Sequence, residues 1–331
     1  MISQIRWHQP NAEANPFGHV NFIRWMVEWW NGRQMDHYIG SELDKRFAAY
    51  VAGGSEQQKK SVMDLVLQAY LEEPKGGNRP TTLDPDFRSI AIRQIRLFLF
   101  TGHDSTSSTI CYAFHLLSLK PSAVVQLIEE HDRVFGKNIH DTASLLISNP
   151  HLLNDLPYTT AVIKETLRLY PPAASSRQGK PATWITDDKG TICTTDDVIM
   201  IWTIHVELHR NPRFWPRANE FLPERWLAKE GHELFPSKEA WRAFEHGPRN
   251  CIAQGMVIAE LKVVLAMLVR EFDIRDAYGE WDQLNAMKVG ENQRAWRGER
   301  AYQMEEAAAH PVEHYPCRVC LRTKPGTEDK A

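Results

Sequence analysis

The chain has 331 residues, of which 43% are apolar and 24% charged, and its formal net charge is -3. That length accommodates about two ordinary domains or one large one, and this composition excludes a disordered chain. No basic stripe accompanies the near-neutral charge, so nucleic acid is excluded as a partner on electrostatic grounds.

Arg6, His8 and Pro10 follow Met1 closely, which rules out the apolar core of a signal peptide in this stretch. No window reaches the ~18 consecutive apolar residues of a transmembrane helix. Residues 1–17, with Pro10 and Pro16, read as irregular. A helix is predicted over about 19–51, because Phe22, Trp25, Met26, Trp29 and Trp30 recur at three- and four-residue intervals. That face reads as core or lid packing, with a substrate-channel wall as the sharper alternative. Val51-Ala52-Gly53-Gly54-Ser55 breaks the pattern. A second apolar segment, 62–71, leads into Glu73-Pro74-Lys75-Gly76-Gly77-Asn78-Arg79-Pro80, which reads as a mobile linker.

The longest helix is predicted over residues 84–119, capped by Asp84 or Asp86. Pro121 starts the next, over 121–134. Asn154-Asp155-Leu156-Pro157 opens a helix through Leu169 that Pro171-Pro172 stops. The character then changes. Asp188-Lys189-Gly190 reads as the turn of a hairpin between 183–186 and 191–193. Residues 198–205 fit either a further strand or the start of a short helix. Residues 206–240, rich in Pro, Arg and Trp, read as a long irregular connection whose order requires function or specific packing. A final helix is predicted over 252–272, extended segments near 286–289 and 318–322, and a loose insertion over 291–310. No internal repeat is present, and the glycines lack the spacing of a phosphate-binding loop.

Five cysteines, Cys111, Cys193, Cys251, Cys317 and Cys320, are an odd number at irregular spacing, which argues for free thiols in a reducing compartment. Cys317-Arg318-Val319-Cys320 has CxxC spacing without a second pair and reads as tail rather than a zinc site. His205 and His209 are four apart without an HExxH pattern and read as surface or packing residues.

One cysteine has a different setting. In Phe244-Glu245-His246-Gly247-Pro248-Arg249-Asn250-Cys251-Ile252-Ala253-Gln254, Cys251 lies between a glycine-bearing loop and an apolar helical run, with Arg249 two residues before it. A nearby cation and a helix N-terminus both favour a thiolate, the form that binds a metal. This pattern resembles the cysteine-ligand loop of cytochrome P450 haem-thiolate monooxygenases. The resemblance implies Cys251 as the proximal ligand of the haem iron, Gly247 as the bend near the porphyrin, Phe244 packing beneath it and Arg249 facing a propionate. Ala253 replaces the family's commoner glycine.

Three further stretches resemble the same family, in its order. Glu165-Thr166-Leu167-Arg168 resembles its Glu-x-x-Arg pair, and Phe221-Leu222-Pro223-Glu224-Arg225-Trp226 the segment completing that triad. The resemblance makes Glu165, Arg168 and Arg225 a buried structural network. Thr101-Gly102-His103-Asp104-Ser105-Thr106 resembles the oxygen-binding groove, where a loosened helical ladder admits dioxygen and Asp104 with Ser105 or Thr106 delivers protons. Ser105 stands where threonine is usual and lacks the methyl that restricts its rotamer. Arg177, nine residues past Arg168, resembles the arginine that reaches a haem propionate, and an exposed loop arginine is its other reading.

The resemblance implies a mainly α fold with small β-sheets, one cytochrome P450 domain over residues 1–331, and haem b (heme b, iron protoporphyrin IX) as cofactor. It implies oxidation of a lipophilic small molecule, of the secondary-metabolite kind in fungal relatives, with dioxygen and electrons from NADPH-cytochrome P450 reductase. It also implies placement at the endoplasmic reticulum membrane surface, although this chain encodes no transmembrane segment and a cytoplasmic location fits as well. Only 100 residues precede Thr101, so the expected match is to the C-terminal two thirds of the family, an N-terminally incomplete fold. Trp29-Trp30-Asn31-Gly32-Arg33 spells the family's WxxxR motif but lies too close to the oxygen-binding helix and reads as coincidence. This shortness keeps a second reading open: an inactive haem-binding or structural fragment.

Overall fold

The computed structural model describes residues 22–52, 61–72, 82–196, 200–237, 239–285, 295–296, 298–306 and 308–322. The expectations for residues 1–17, the linker at 73–80, the glycines at 53–54 and the extended segment at 286–289 lie outside these. The helices are α1 (Phe22–Val51), α2 (Val62–Glu72), α3 (Pro85–Leu119), α4 (Pro121–Phe135), α5 (Thr142–Ser148), α6 (Pro157–Leu169), α7 (His205–His209), α8 (Gln254–Leu268) and α9 (Tyr278–Leu284). Four small antiparallel pairs accompany them among the described residues: β1 (Ser175–Arg177) with β4 (Ile201–Thr203), β2 (Trp184–Thr186) with β3 (Ile192–Thr194), β5 (Phe272–Asp276) with β8 (Cys317–Leu321), and β6 (Gln303–Glu306) with β7 (Ala308–Pro311). The class is mainly α with small sheets.

Two compact units divide within α3, Met1–Asp104 and Ser105–Ala331. In the first, Leu43, Phe47, Leu67, Tyr70 and Ala91 form the core. Asp84 caps α3: its Oδ1 accepts the N–H groups of Asp86 at 3.1 Å and Phe87 at 2.9 Å, donors the helix itself cannot satisfy. The tryptophan face of α1 is not packed. Trp25, Met26, Trp29 and Trp30 are exposed, and the helix buries Ile39, Leu43 and Phe47 instead. Helical spacing puts residues on one face; it does not say which end of the helix meets a partner. Arg33 lies over the Trp29 ring at 5.5 Å, so the two ends of the WxxxR match contact each other.

The second unit is built around α6. Its Ala161, Val162, Ile163 and the run from Glu165 to Leu169 are all buried, among Tyr112, Leu116 and Leu117 of α3, Leu127 of α4 and Val257, Leu261 and Leu265 of α8. The N-cap position, Leu156, has no capping side chain. Glu130 of α4 supplies the cap from outside, accepting the N–H groups of Tyr158 and Thr159 at 2.7 and 2.8 Å.

Several boundaries differ from expectation. α8 ends at Leu268 rather than near 272, because Phe272 begins β5, which pairs with β8; between them Arg270 turns inward to Asp132, the Gly136 carbonyl and Thr142. The stretch expected to be loose over 291–310 holds β6 and β7 in its described part. Residues 206–240 contain α7 and a 3-10 turn, Pro223–Leu227. α3 is helical without interruption through residues 101–106, so the loosened ladder expected there is absent. Cys317 and Cys320 are exposed on β8, opposite Asp276 and Asp273. Three residues apart on a strand, they point to opposite faces and cannot share a metal.

Candidate functional site

The cysteine loop closes on itself through the backbone. The Cys251 N–H donates to the Phe244 carbonyl at 2.9 Å, and the Asn250 N–H to the Gly247 carbonyl at 3.2 Å. Gly247 sits at φ 82°, a conformation that favours glycine. A Cβ there would meet nothing within 4 Å, so conformation rather than crowding selects glycine. Phe244 is half-buried and packs its ring edge-on to Trp241, centroids 5.8 Å apart. Cys251 is free and exposed at the approach to α8, flanked by exposed Arg249 and by Ile252, which is 91% exposed.

Behind the loop lies a buried charge network. Arg168 holds Glu165 with two parallel bonds of 2.9 Å, from Nε to Oε2 and from Nη2 to Oε1. Its remaining donors reach the carbonyls of His209 and Ala218 at 2.7 Å and Glu220 at 3.0 Å. Glu165 also accepts the Leu222 N–H and the Trp226 indole N–H, each at 3.0 Å, with Arg225 Nε at 3.5 Å. Glu165, Arg168 and Arg225 are all fully buried. Burial lowers the Arg225 pKa, and the charge of Glu165 partly restores it. The arrangement pins three carbonyls of the irregular 206–240 segment to one helix.

His209 links this network to the cysteine loop. Its Nδ1–H donates to the Arg168 carbonyl at 3.1 Å, and its Nε2 accepts the Arg242 N–H at 2.8 Å. Burial, then the nearby His205, pushes its pKa down to about 3, so the ring is neutral, as those two bonds require. Arg242 in turn donates to Glu245 inside the loop.

The other named residues fall on two elements. Arg177 ends β1, exposed, with Nη1 donating to the Ser176 carbonyl at 2.8 Å. Asp104, Ser105 and Thr106 are consecutive on α3, the first two half-buried and Thr106 buried. The Thr106 hydroxyl is enclosed without a hydrogen-bond partner, a cost of about 1–3 kcal/mol that calls for a reason. Its neighbours Thr101 and Thr109 satisfy theirs on helix carbonyls four residues back, those of Leu97 and Ser105.

The family model described as Cytochrome P450 matches residues 30–293. The chain belongs to the cytochrome P450 family. It is 40% identical over 323 residues to cytochrome P450 monooxygenase polC of Polytolypa hystricis, which covers 97% of this chain and 57% of that protein. It is 34% identical over 305 residues to cytochrome P450 monooxygenase acrF of Aspergillus aculeatus, covering 86% of this chain and 60% of that one. The chain thus spans 57–60% of the length of these two curated relatives. A crystal structure of a cytochrome P450 (CYP102L1) matches at TM-score 0.60 and 22% identity, over 87% of this chain and 56% of that one. The fold is that of a cytochrome P450.

The family's cofactor is haem b, and the residues present fit it. Among the described residues no group of three or more His, Cys, Asp or Glu is arranged to hold a metal ion. An iron held equatorially by its own porphyrin needs one protein ligand, and an exposed thiol on a tight loop is such a ligand. Sequence reasoning passed over Glu245, Arg242 and Trp226, and took His205 and His209 for surface or packing groups. A non-glycine residue at positive φ, as at Glu245, leaves no trace in residue type.

Proposed function

We propose that this P450 chain is a haem-thiolate monooxygenase acting on a lipophilic small molecule, with Cys251 as the iron ligand. The observation that carries the reading is the exposed Cys251 thiol on a loop closed by its own amide, with Gly247 at the bend. Bound haem supplies reductive activation of dioxygen, with the balance RH + O₂ + two electrons + two protons giving ROH and water. The chain's residues prepare for that chemistry. Cys251 would hold the haem iron through its thiolate, a ligand whose electron donation suits dioxygen activation. Phe244 would pack against the cofactor, Gly247 would let the backbone approach it, and Arg249 and Arg177 would supply cations for its carboxylates. Asp104, with the Ser105 and Thr106 hydroxyls beside it on α3, is the proton-delivery group. The unpartnered Thr106 hydroxyl supports a group awaiting a partner. Glu165, Arg168 and Arg225 hold the wall behind the loop, and residues 1–331 act as parts of one P450 domain.

The partners under this reading are a lipophilic substrate, dioxygen and NADPH-cytochrome P450 reductase. The working place is the endoplasmic reticulum membrane surface, although among the described residues no single helix is long and apolar enough to cross a membrane. The fungal relatives at 40% and 34% identity are named monooxygenases, which supports the reaction class, and a secondary metabolite is the substrate kind the family resemblance implies. The test is the reduced carbon monoxide difference spectrum of this chain. A strongly red-shifted Soret band is expected, and Cys251→Ser abolishes it. A folded chain that takes up no haem, or keeps the band without Cys251, overturns the reading.

A further inference from the structure

Glu245 follows Phe244 in the cysteine loop at φ 58°. That conformation is strained for a residue bearing a Cβ and persists only where the surroundings hold it. Here the surroundings are donors from separate segments. Ser175 of β1 donates its hydroxyl to Oε1. His205 of α7 donates Nε2–H to the same oxygen at 2.9 Å. Arg242 donates Nε–H and an Nη2–H to Oε2 at 3.0 and 2.7 Å, and the His246 N–H adds a longer bond of 3.2 Å. Burial alone would raise the Glu245 pKa, but the bonds from Ser175, His205 and Arg242 outweigh it and hold the carboxyl below the usual range. The far side of His205 is fixed as well, with Nδ1–H on the Ala173 carbonyl at 2.8 Å. Both ring nitrogens thus face oxygen partners, Ala173 on one side and Glu245 on the other.

The placement gives these contacts a consequence. On one side, Glu245 adjoins Phe244, whose carbonyl receives the Cys251 amide. On the other, Ser175 and Arg177 are two apart on β1 and share a face of the strand. We propose that Glu245 is a positioning residue: through Ser175 and His205 it ties the cysteine loop to β1, so that Cys251 and Arg177 present one fixed arrangement to the haem. The proposal rests on Cys251 as the haem ligand. Its competitor is a local role, in which Glu245 steadies only its own turn through Arg242, three residues back.

Hydrogen exchange at the Cys251 amide in the whole purified chain separates the two, because that amide reports closure of the loop. Glu245→Ala removes two charge-assisted links to other segments and should speed exchange about a hundredfold. Ser175→Ala removes one and should speed it about tenfold, while α8 amides beyond Val257 keep their rates. Arg242→Ala, a contact within the turn, should change it less than about fivefold. After haem uptake, Glu245→Ala should also move much of the reduced carbon monoxide complex from the red-shifted band to the ordinary Soret position of a haem without thiolate. Unchanged exchange in Glu245→Ala and Ser175→Ala, with the wild-type band intact, overturns the tie alone. So does an Arg242→Ala effect as large as that of Glu245→Ala. A wild-type chain without the red-shifted band overturns the haem reading and the positioning role together.

Discussion

Replacing Arg168 by lysine keeps the charge and tests whether charge is what the buried network needs. The guanidinium makes five bonds, two to Glu165 and one each to the carbonyls of His209, Ala218 and Glu220. An ammonium has three donors on a shorter reach and cannot reproduce the fork. At least two of the five bonds are therefore lost in a fully buried site, at about 1–3 kcal/mol each. Taking about 3 kcal/mol in total, the melting temperature should fall by roughly 6–12 °C for a unit of this size. Arg168→Ala removes every bond and strands the Glu165 charge with Arg225 alone, so its cost should reach about 3–5 kcal/mol or more. Thermal unfolding followed by far-ultraviolet circular dichroism measures both variants. If Arg168→Lys melts within about 2 °C of wild type, no more than the shift expected for about 1 kcal/mol, the carbonyl bonds are not what orders the 206–240 segment.

Other outcomes follow from single sites. Glu130→Ala uncaps α6, whose Tyr158 and Thr159 amides it serves, and should cost about 2 kcal/mol in chemical denaturation; a cost near zero would mean water replaces the cap. Acid should destabilise the chain through its buried histidines. His209 and His131 fall from 6.5 to about 3 and about 4, both chiefly through burial. Because folding lowers these pKa values, their contribution is complete above pH 6.5, where both states are neutral. It is lost as pH falls toward the folded values and the unfolded chain takes up protons first. Between pH 7 and 4.5 His209 alone should remove about 2.5 kcal/mol, and His209→Gln should flatten that part of the urea-midpoint profile; an unchanged slope refutes the assignment. Gly247→Ala places a Cβ at positive φ with no steric clash, so it should cost about 1–2 kcal/mol by conformation alone. Gly247→Asn should cost less in the same melt, since asparagine tolerates that region, and equal costs would point to crowding instead.

Elements announced by local chemistry were legible in the sequence. Asp84 before Pro85, Pro121, and the prolines bracketing α6 mark helix ends because they act within one turn. Gly190, at φ 80°, closes the 184–194 hairpin with the Asp187 carboxylate accepting two turn amides. What depends on distant partners was not legible. The apolar run of α8 continues through Val269 toward Phe272, and only the pairing of β5 with β8, from Phe272–Leu321 to Asp276–Cys317, says where helix yields to strand. The tryptophans of α1 show helical spacing and remain exposed. The local setting pointed to Cys251 and the family resemblance to Glu165, Arg168 and Arg225, but neither pointed to the groups that hold them.

Those holding groups share one design. Glu130, Glu165 and Glu245 are enclosed carboxylates, and each takes donors from at least one segment distant from it in the chain. Glu130 takes the start of α6, Glu165 takes Arg168 with the Leu222 and Trp226 donors, and Glu245 takes Ser175, His205 and Arg242. The last two are joined by hydrogen bonds, from the Arg168 carbonyl through neutral His209 to the Arg242 amide. Irregular backbone has no ladder of its own to satisfy its polar groups. A buried carboxylate or guanidinium that satisfies several at once lets such backbone be ordered without regular structure. That is why the 206–240 segment, which sequence periodicity cannot describe, is held against α6. It is also why the cysteine loop has a fixed wall behind it.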